Sequence, residues 1–332
     1  MRSGARLRLV SLLIGGPILA LAAMDRAVVF WDAHWAWAAR EIPALVLDPY
    51  RVEGLLRSIP PGRQNVPILG NSIAEFGFDV AVLEQRFAAD GLRFPKLTIG
   101  GAPALTFGMM ADDIAALKPR AAIFVVSAPS LRSRGYLDHV YTYDVAAAAE
   151  LFTPEEAVSE SLFHLHGVLR QLNVFARHRR SLQRALLVRT GRMEWADLQS
   201  QARRIRIRHM LDGSDAWQTW IRDRARDELD NPNTRALGYL ARRLRELNAP
   251  LIVVEAPVHP VPQLLSAKRL KRYHERLSEL AEAGGFTLIS TDELPTMDED
   301  DFSDMIHASP QGRARLTDFI AERLVDTLLE AS

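Results

Sequence analysis

Ser72, Asp304 and His307 have residue types and a spacing that allow nucleophilic chemistry. Asp304 lies three positions before His307, so its carboxylate can hydrogen-bond to one nitrogen of the imidazole and stabilise the charged ring. The other ring nitrogen can then accept the proton of a serine hydroxyl, which activates that serine for attack on an acyl group. Because Ser72 lies far from His307 in the sequence, the set forms only if the fold brings the two residues together.

The local sequence places Ser72 in a turn between a strand and a helix. The apolar run at 66–69 predicts a buried strand, Gly70-Asn71-Ser72 predicts a tight turn, and a helix is expected from Ile73. The carboxyl end of a parallel strand is where α/β proteins place reactive groups. The same residues also fit a simple turn with a helix cap, and this interpretation stays open.

His307 lies in an acidic loop just before the last predicted helix. Pro310 and Gly312 open that helix, which we expect to run over 314–329. Such a loop is also typical of a solvated surface turn or of a site for a hard cation, although its spacing is not that of an EF-hand. The catalytic hypothesis therefore depends on whether Ser72 and His307 meet in space.

The order of the apolar runs predicts an α/β fold. Helical patterns alternate with five expected strands, at 66–69, 96–99, 121–127, 249–255 and 286–290. The third run is apolar throughout, which indicates burial on both faces and hence a parallel sheet. We therefore predict a three-layer sandwich around a five-stranded parallel sheet, in which the segments carrying Ser72 and His307 follow strands that end at the same edge.

Residues 130–245 have a different pattern and predict a helical insertion that covers the site. No strong strand pattern occurs there, and arginine-rich runs occur at 177–180 and 203–208. These runs fit a site for anionic lipid or polysaccharide. They fit equally well solvated helices whose arginines pair with acidic residues of the same region, and this is the interpretation we favour.

The N-terminus predicts a membrane anchor over 1–31. Three arginines precede an apolar run at 9–24, an order shared by signal peptides and signal anchors. Apolar character resumes after Arg26 and tryptophans follow, which favours an uncleaved anchor over a cleaved signal or a buried helix. The positive-inside rule then predicts a single-pass protein of the inner (cytoplasmic) membrane, with its catalytic domain on the periplasmic side.

These patterns divide the chain into an anchor, a connector over 32–63 and an α/β domain over 64–330. The connector is expected to hold a helical stretch followed by proline-rich turns at Pro49 and Pro60. No internal repeat interrupts this order.

Composition excludes several functional classes. The chain has 332 residues, a formal net charge of zero and no cysteine. Zero net charge provides no basic field for nucleic acid. The lack of cysteine excludes disulfides, thiol catalysis and zinc sites built on cysteine.

These motifs resemble those of the SGNH (GDSL-type) hydrolase superfamily. The turn at 70–72, with Gly77 and Asp79 after it, is similar to the first block of that superfamily. Gly101 follows the second strand as in the family, and residues 301–312 resemble the last block. The nearest branch is membrane-anchored and exported, and it includes proteins of alginate acetylation and of teichoic-acid D-alanylation.

The resemblance implies a role for each residue of the set. Ser72 would be the nucleophile, His307 the general base and Asp304 the acid that orients it. The backbone N–H groups of Ser72 and Gly101, with Gly100 as the alternative to Gly101, would form the oxyanion hole. Such donors stabilise the negative charge that develops on the attacked carbonyl oxygen.

One block departs from the family pattern. Where the family usually has an asparagine donor after the third strand, this chain has Ser127-Ala128-Pro129-Ser130. Ser130 or Ser127 would partly replace that donor, and losing such a donor lowers the rate by about 100-fold. Asn71 and His259 are expected to bind substrate, although a turn histidine is the alternative for His259.

The resemblance covers about 64–130 and 248–330 and implies a serine esterase or O-acyltransferase without a metal or organic cofactor. Its substrate would be an acyl ester, such as acetyl, of a cell-envelope glycan. The expected partners are an acylated glycan or lipid, the membrane and a polytopic membrane acyltransferase. Two alternatives stay open: a non-catalytic envelope protein of the same fold that binds glycan or an acyltransferase, and a lipase or thioesterase at the membrane surface.

Overall fold

The computed structural model describes Ala23 and residues 32–43, 47–131, 140–171, 173–194, 230–257, 259–260, 267–304 and 306–330. The predicted anchor lies outside these residues apart from Ala23, and so does the arginine-rich run at 203–208. None of the helices in the described ranges combines the length and the apolar character that crossing a bilayer requires.

Five short strands form one parallel sheet: β1 (Ile68–Gly70), β2 (Lys96–Thr98), β3 (Ala122–Val126), β4 (Leu251–Glu255) and β5 (Thr287–Ile289). Their order in the sheet is β2-β1-β3-β4-β5. The parallel five-stranded sheet predicted from the sequence is therefore confirmed. Because the order reverses between β1 and β3, a crevice is expected at the carboxyl ends of these two strands.

Helices cover both faces of the sheet. In chain order they are α1 (Asp32–Glu41), α2 (Pro49–Ser58), α3 (Ser72–Gly77), α4 (Val80–Arg86), α5 (Ala104–Gly108), α6 (Ala111–Ala116), α7 (Val145–Leu151), α8 (Pro154–Ser159), α9 (Ser161–Gln171), α10 (Val174–Arg189), α11 (Pro232–Arg245), α12 (Ala267–Gly284) and α13 (Pro310–Glu330).

Side chains of successive strand residues face opposite layers of helices. Leu69 of β1 and Phe124 of β3 belong to the core shared with α5, α6, α11 and α12. Ile68 and Ile123 belong to the core shared with α3, α4 and α13. The three-layer α/β sandwich is thus built around central strands that are buried on both faces.

Helix α11 lies at the end of 130–245, the range predicted as an insertion, but it belongs to the core of the α/β domain. Leu237, Leu240 and Leu244 of α11 are buried in the layer that also contains α5. The backbone N–H of Leu105 at the start of α5 donates a hydrogen bond to Asn233 Oδ1 at 2.8 Å. The insertion therefore ends before α11, which supplies the crossover from β3 to β4.

The turn predicted at Pro49 is wrong, because Pro49 is the first residue of α2. Asp48 caps this helix, and its carboxylate accepts a hydrogen bond from the backbone N–H of Tyr50 at 2.9 Å. Proline suits the first helical position, where the missing N–H would have no partner within the helix. The second predicted turn, at Pro60, does lie outside the helix.

A buried ion cluster joins the connector to the insertion. Glu53 of α2 lies 3.0 Å from Arg177 Nη2 and 3.0 Å from His178 Nε2, both on α10. Thr142 Oγ1 donates a hydrogen bond to the same carboxylate at 3.1 Å. Burial raises the pKa of Glu53, but its contacts with His178 and Arg177 outweigh burial and lower that pKa from 4.5 to about 2.

The Glu53→Gln substitution should lower the free energy of unfolding by about 3 kcal/mol at neutral pH, because it removes the buried carboxylate charge that pairs with Arg177 and His178. The folded-state pKa of Glu53 lies below its unfolded value. The stabilisation is therefore present above pH 4.5 and is lost as pH falls toward 2. Urea unfolding of both proteins at about pH 7 and about pH 3 should show a difference that shrinks with acidity.

A matched control for this prediction is Glu279→Gln. Glu279 is exposed, although it also pairs with an arginine, Arg276, at 2.8 Å. Its loss should change the free energy of unfolding by less than about 1 kcal/mol. If the free energies of unfolding of wild type and Glu53→Gln differed by the same amount at both pH values, the lowered pKa could not belong to Glu53.

Candidate active site

The Gly70–Ser72 turn joins β1 to α3 at the crevice. Gly70 has a φ of 145°, and a Cβ atom there would lie 2.8 Å from the Cβ of Ala74, so only glycine fits. Asn71 is the N-cap of α3, and its side-chain oxygen accepts the backbone N–H of Ile73 at 2.9 Å. Ser72 is therefore the first residue of α3 and not its N-cap, and its hydroxyl is not used for capping.

The loop that carries His307 is closed by contacts of its own. The backbone N–H of Ser303 donates to the carbonyl of His307 at 2.8 Å, and that of Ser309 donates to the carbonyl of Asp301 at 2.8 Å. A Cβ atom at Gly312 would lie 2.1 Å from the Asp301 carbonyl oxygen. Glycine at this position thus allows α13 to pack directly against the loop.

Ser72, His307 and Asp304 meet at the carboxyl edge of the sheet. Ser72 Oγ lies 2.8 Å from His307 Nε2, and His307 Nδ1 lies 2.7 Å from Asp304 Oδ2. His307 and Asp304 are 5% and 9% exposed, whereas Ser72 is half-buried. The ring of Phe76, one turn after Ser72, packs edge-on against the imidazole with centroids 5.1 Å apart.

The surroundings of Asp304 keep its carboxyl group ionised. Its Oδ1 accepts backbone N–H groups from Ile306 at 2.9 Å and from His307 at 2.8 Å. Burial raises the pKa of Asp304, but the hydrogen bond and charge of His307 and these two backbone donors outweigh burial and hold that pKa below its usual value. An ionised Asp304 accepts a hydrogen bond from the Nδ1–H group of His307, which leaves Nε2 to accept a hydrogen bond from the Ser72 hydroxyl.

The backbone N–H groups expected to form the oxyanion hole differ in whether they already have a hydrogen-bond acceptor. The N–H of Gly100 donates to the carbonyl of Leu47 at 3.1 Å and is therefore not free to bind an oxyanion. No hydrogen bond within the described ranges uses the N–H of Ser72 or of Gly101. Because β1 and β2 are neighbours, the turns that follow them lie side by side. The geometry thus favours Gly101 over Gly100 as the second backbone donor.

Ser130 lies at the end of β3, in contact with the serine turn. It is buried, and its Oγ accepts a hydrogen bond from Asn71 Nδ2 at 3.2 Å. The hydroxyl of Ser127 lies 2.9 Å from the same Oγ. Asn71 therefore both caps α3 and positions Ser130, and its predicted contact with substrate stays a prediction.

Replacing Ser130 with alanine should lower kcat by about 100-fold with little change in KM, if its hydroxyl donates to the developing oxyanion. Turnover of an aryl acetate measures both constants. The matched control is Ser278→Ala on α12, whose exposed hydroxyl donates to the carbonyl of His274 one turn earlier in the same helix. An unchanged kcat in Ser130→Ala would remove Ser130 from the oxyanion hole.

His259 lies beside the loop that carries Asp304. Its ring packs against Phe302, with centroids 4.9 Å apart, and Phe302 lies two positions before Asp304. The structure therefore brings His259 to the rim of the same loop, and its contact with substrate stays a prediction.

Sequence reasoning missed Leu47. This residue has a φ of 55°, which is rare for leucine, and its carbonyl accepts the Gly100 N–H. The next residue, Asp48, accepts a hydrogen bond from Ser181 Oγ of α10 at 2.7 Å. The connector and the insertion thus hold the Gly100–Gly101 turn in place, and no sequence pattern indicated that contact.

Two of the acidic residues before His307 have structural partners. Asp298 accepts the backbone N–H groups of Asp300 and Asp301 at 3.0 and 3.3 Å. Asp301 pairs with Arg315 at 2.5 Å. Within the described part of the chain, no group of three or more His, Asp or Glu side chains is arranged to hold a metal ion.

Comparison with known proteins yields distant structural likenesses only. No family model matches the chain, and no curated protein does. The chain is similar to the crystal structure of TesA, with 13% identity, a TM-score of 0.40 and coverage of 79% of this chain and 98% of that chain. It is also similar to the crystal structure of a lipase/acylhydrolase from Enterococcus faecalis, with 12% identity, a TM-score of 0.38 and coverage of 78% and 94%. Likeness at this level carries no conclusion about chemistry.

Proposed function

We propose that this chain is a serine esterase or O-acyltransferase of the SGNH type. The observation that carries the proposal is the connected set of hydrogen bonds from Ser72 Oγ to His307 Nε2 and from His307 Nδ1 to Asp304, at 2.8 and 2.7 Å. A structural turn needs no buried imidazole directed at its serine, whereas acyl transfer needs this arrangement.

The reaction begins with attack of Ser72 Oγ on the carbonyl carbon of an ester. His307 Nε2 takes the hydroxyl proton, and the ionised Asp304 stabilises the resulting imidazolium. The backbone N–H groups of Ser72 and Gly101, with the Ser130 hydroxyl, donate to the oxyanion. His307 then returns its proton to the departing alcohol, which leaves the acyl group on Ser72.

The second half of the reaction decides between hydrolysis and transfer. His307 removes a proton from water or from a sugar hydroxyl, and the resulting oxygen attacks the acyl-enzyme. The tetrahedral intermediate collapses, its Oγ takes the proton from His307, and a carboxylic acid or a new ester is released. Neither route requires a metal or an organic cofactor.

The cellular setting is part of the same proposal. The arginines and the apolar run at 9–24 support a single inner-membrane anchor with the α/β domain in the periplasm. A domain held there meets cell-envelope glycans, so the proposed substrate is an acyl ester, such as acetyl, of a glycan. A polytopic membrane acyltransferase is the proposed partner if the reaction runs as transfer.

A panel of aryl esters with increasing acyl length, together with an acetylated glycan, tests this function on the detergent-solubilised full chain. Preferential release of acetate supports the proposal. Preference for long acyl chains would instead identify a lipase or thioesterase. No turnover of any ester, combined with tight binding of glycan or of an acyltransferase, would identify a non-catalytic envelope protein.

A further inference from the structure

Helix α9 packs into the domain through one apolar face. Phe163 and Val168 contact the core that contains Tyr143, and the rings of Phe163 and Tyr143 lie 5.6 Å apart. A Cβ atom at Gly167 would lie 2.4 Å from the ring of Tyr143. Glycine at 167 therefore allows close contact with Tyr143, and this face of α9 packs against the rest of the domain.

The opposite face of α9 is also apolar but is exposed. Leu162, Leu165 and Leu169 have the spacing of one helical face, and they are 81%, 59% and 54% exposed. A helix that is apolar on both sides is normally covered on both sides. A row of exposed leucines on one short helix therefore marks a surface that meets an apolar partner.

The charge carried by α9 and α10 themselves is of one sign. Residues 161–192, which we call the basic helix pair, contain seven arginines and no aspartate or glutamate. Arg179, Arg180, Arg189 and Arg192 are exposed. No ion pair among the described residues uses any of these four arginines. Exposed leucines on α9 and exposed arginines on the adjoining α10 complement a surface that is apolar inside and anionic outside.

The position of α10 agrees with that kind of partner. His178 of α10 packs edge-on against Trp35 of α1, with ring centroids 5.9 Å apart. Helix α1 begins at Asp32, directly after the predicted anchor over 1–31. A bilayer that holds the anchor would therefore lie within a few residues of the element that contacts the basic helix pair.

We propose that the basic helix pair docks on the surface of an anionic lipid bilayer. The leucine face of α9 enters the boundary between headgroups and acyl chains, and the exposed arginines of α10 contact lipid phosphates. This inference rests on the described surface and not on the esterase chemistry. The two proposals can therefore fail separately.

The absence of native cysteine allows a site-specific test on the full chain. His166 is exposed at the edge of the leucine face, so a bimane label on His166→Cys reports what covers that face. The labelled protein is reconstituted into vesicles of phosphatidylcholine alone or with phosphatidylglycerol, and quenching by aqueous iodide is measured. A label on Ser278→Cys of α12, which packs on the β5 side of the sheet, is the matched control.

We expect the His166→Cys label to be shielded from iodide only in vesicles that contain phosphatidylglycerol. The Ser278→Cys label should be quenched equally in both kinds of vesicle. Adding Leu162→Ser and Leu169→Ser should abolish the shielding. Adding Arg179→Gln and Arg180→Gln should lower the ratio of docked to undocked protein by about tenfold or more, since both arginines lie near the anionic surface.

Three results would overturn the inference. One is full quenching of the His166→Cys label in phosphatidylglycerol vesicles. Another is shielding that is equal with and without phosphatidylglycerol. The third is shielding that follows the ratio of protein to lipid, because that result would identify a second copy of the chain as the partner. Far-UV circular dichroism confirms that each variant retains its fold.

Discussion

Replacing Ser72 with alanine should lower kcat for ester turnover by about 10,000-fold or more. The substitution removes the atom that forms the acyl-enzyme, and no other hydroxyl lies within reach of His307 Nε2 among the hydrogen bonds of the described residues. Residual activity should come from the oxyanion donors alone, because the backbone N–H of residue 72 is retained. Steady-state kinetics on an aryl acetate measures the loss.

The fold should survive this change. Asn71 caps α3 and alanine suits the first turn of a helix, so the free energy of unfolding should change by less than about 1.5 kcal/mol. Ser278→Ala is the matched control for loss of a serine hydroxyl, and it should retain full activity. Undiminished turnover in Ser72→Ala, with normal folding, would show that the chemistry takes place elsewhere.

Replacing Asp304 with asparagine should cost nearly as much, about 10,000-fold in kcat. The asparagine oxygen can keep the two backbone hydrogen bonds that Asp304 Oδ1 now accepts. Its amide NH2 then faces His307 Nδ1, which must become an acceptor. The proton therefore moves to Nε2, and the imidazole can no longer take the proton of Ser72.

Two further measurements distinguish this tautomer effect from a loss of structure. Asp304→Asn should raise KM little, and nitrogen NMR of the labelled imidazole should show the proton on Nε2 at neutral pH. Asp301 lies in the same loop and pairs with Arg315 of α13. Asp301→Asn should therefore lower the free energy of unfolding while lowering kcat little. A loss in Asp304→Asn below about tenfold would contradict the orienting role of the carboxylate.

The sheet was predictable because its central strands β3 and β4 are buried along their whole length. Both are dominated by apolar residues in the sequence, and the residues at their carboxyl ends lie at one edge. That topology sufficed to predict that Ser72 and His307 can meet. The boundaries of the helices were less predictable, since the last helix, expected over 314–329, begins four residues earlier at Pro310.

The parts that sequence reasoning missed depend on tertiary contacts. Helix α11 has the same periodicity as an insertion helix, and only its packing against α5 assigns it to the core. The Asn71–Ser130 hydrogen bond depends on the neighbouring positions of β1 and β3. Leu47 carries no local signal, because its positive φ is imposed by contacts of the connector rather than by its residue type.

Labelling with a fluorophosphonate probe tests the central claim most directly. The tryptic peptide over 64–86 contains Ser72 as its only hydroxyl side chain, so the mass of that peptide identifies the modified atom without ambiguity. We expect a single adduct on this peptide in the wild type, strongly slowed labelling in Asp304→Asn and no adduct in Ser72→Ala. Equal labelling of Ser72→Ala, or an adduct on a different peptide, would contradict the assignment of Ser72 as the nucleophile.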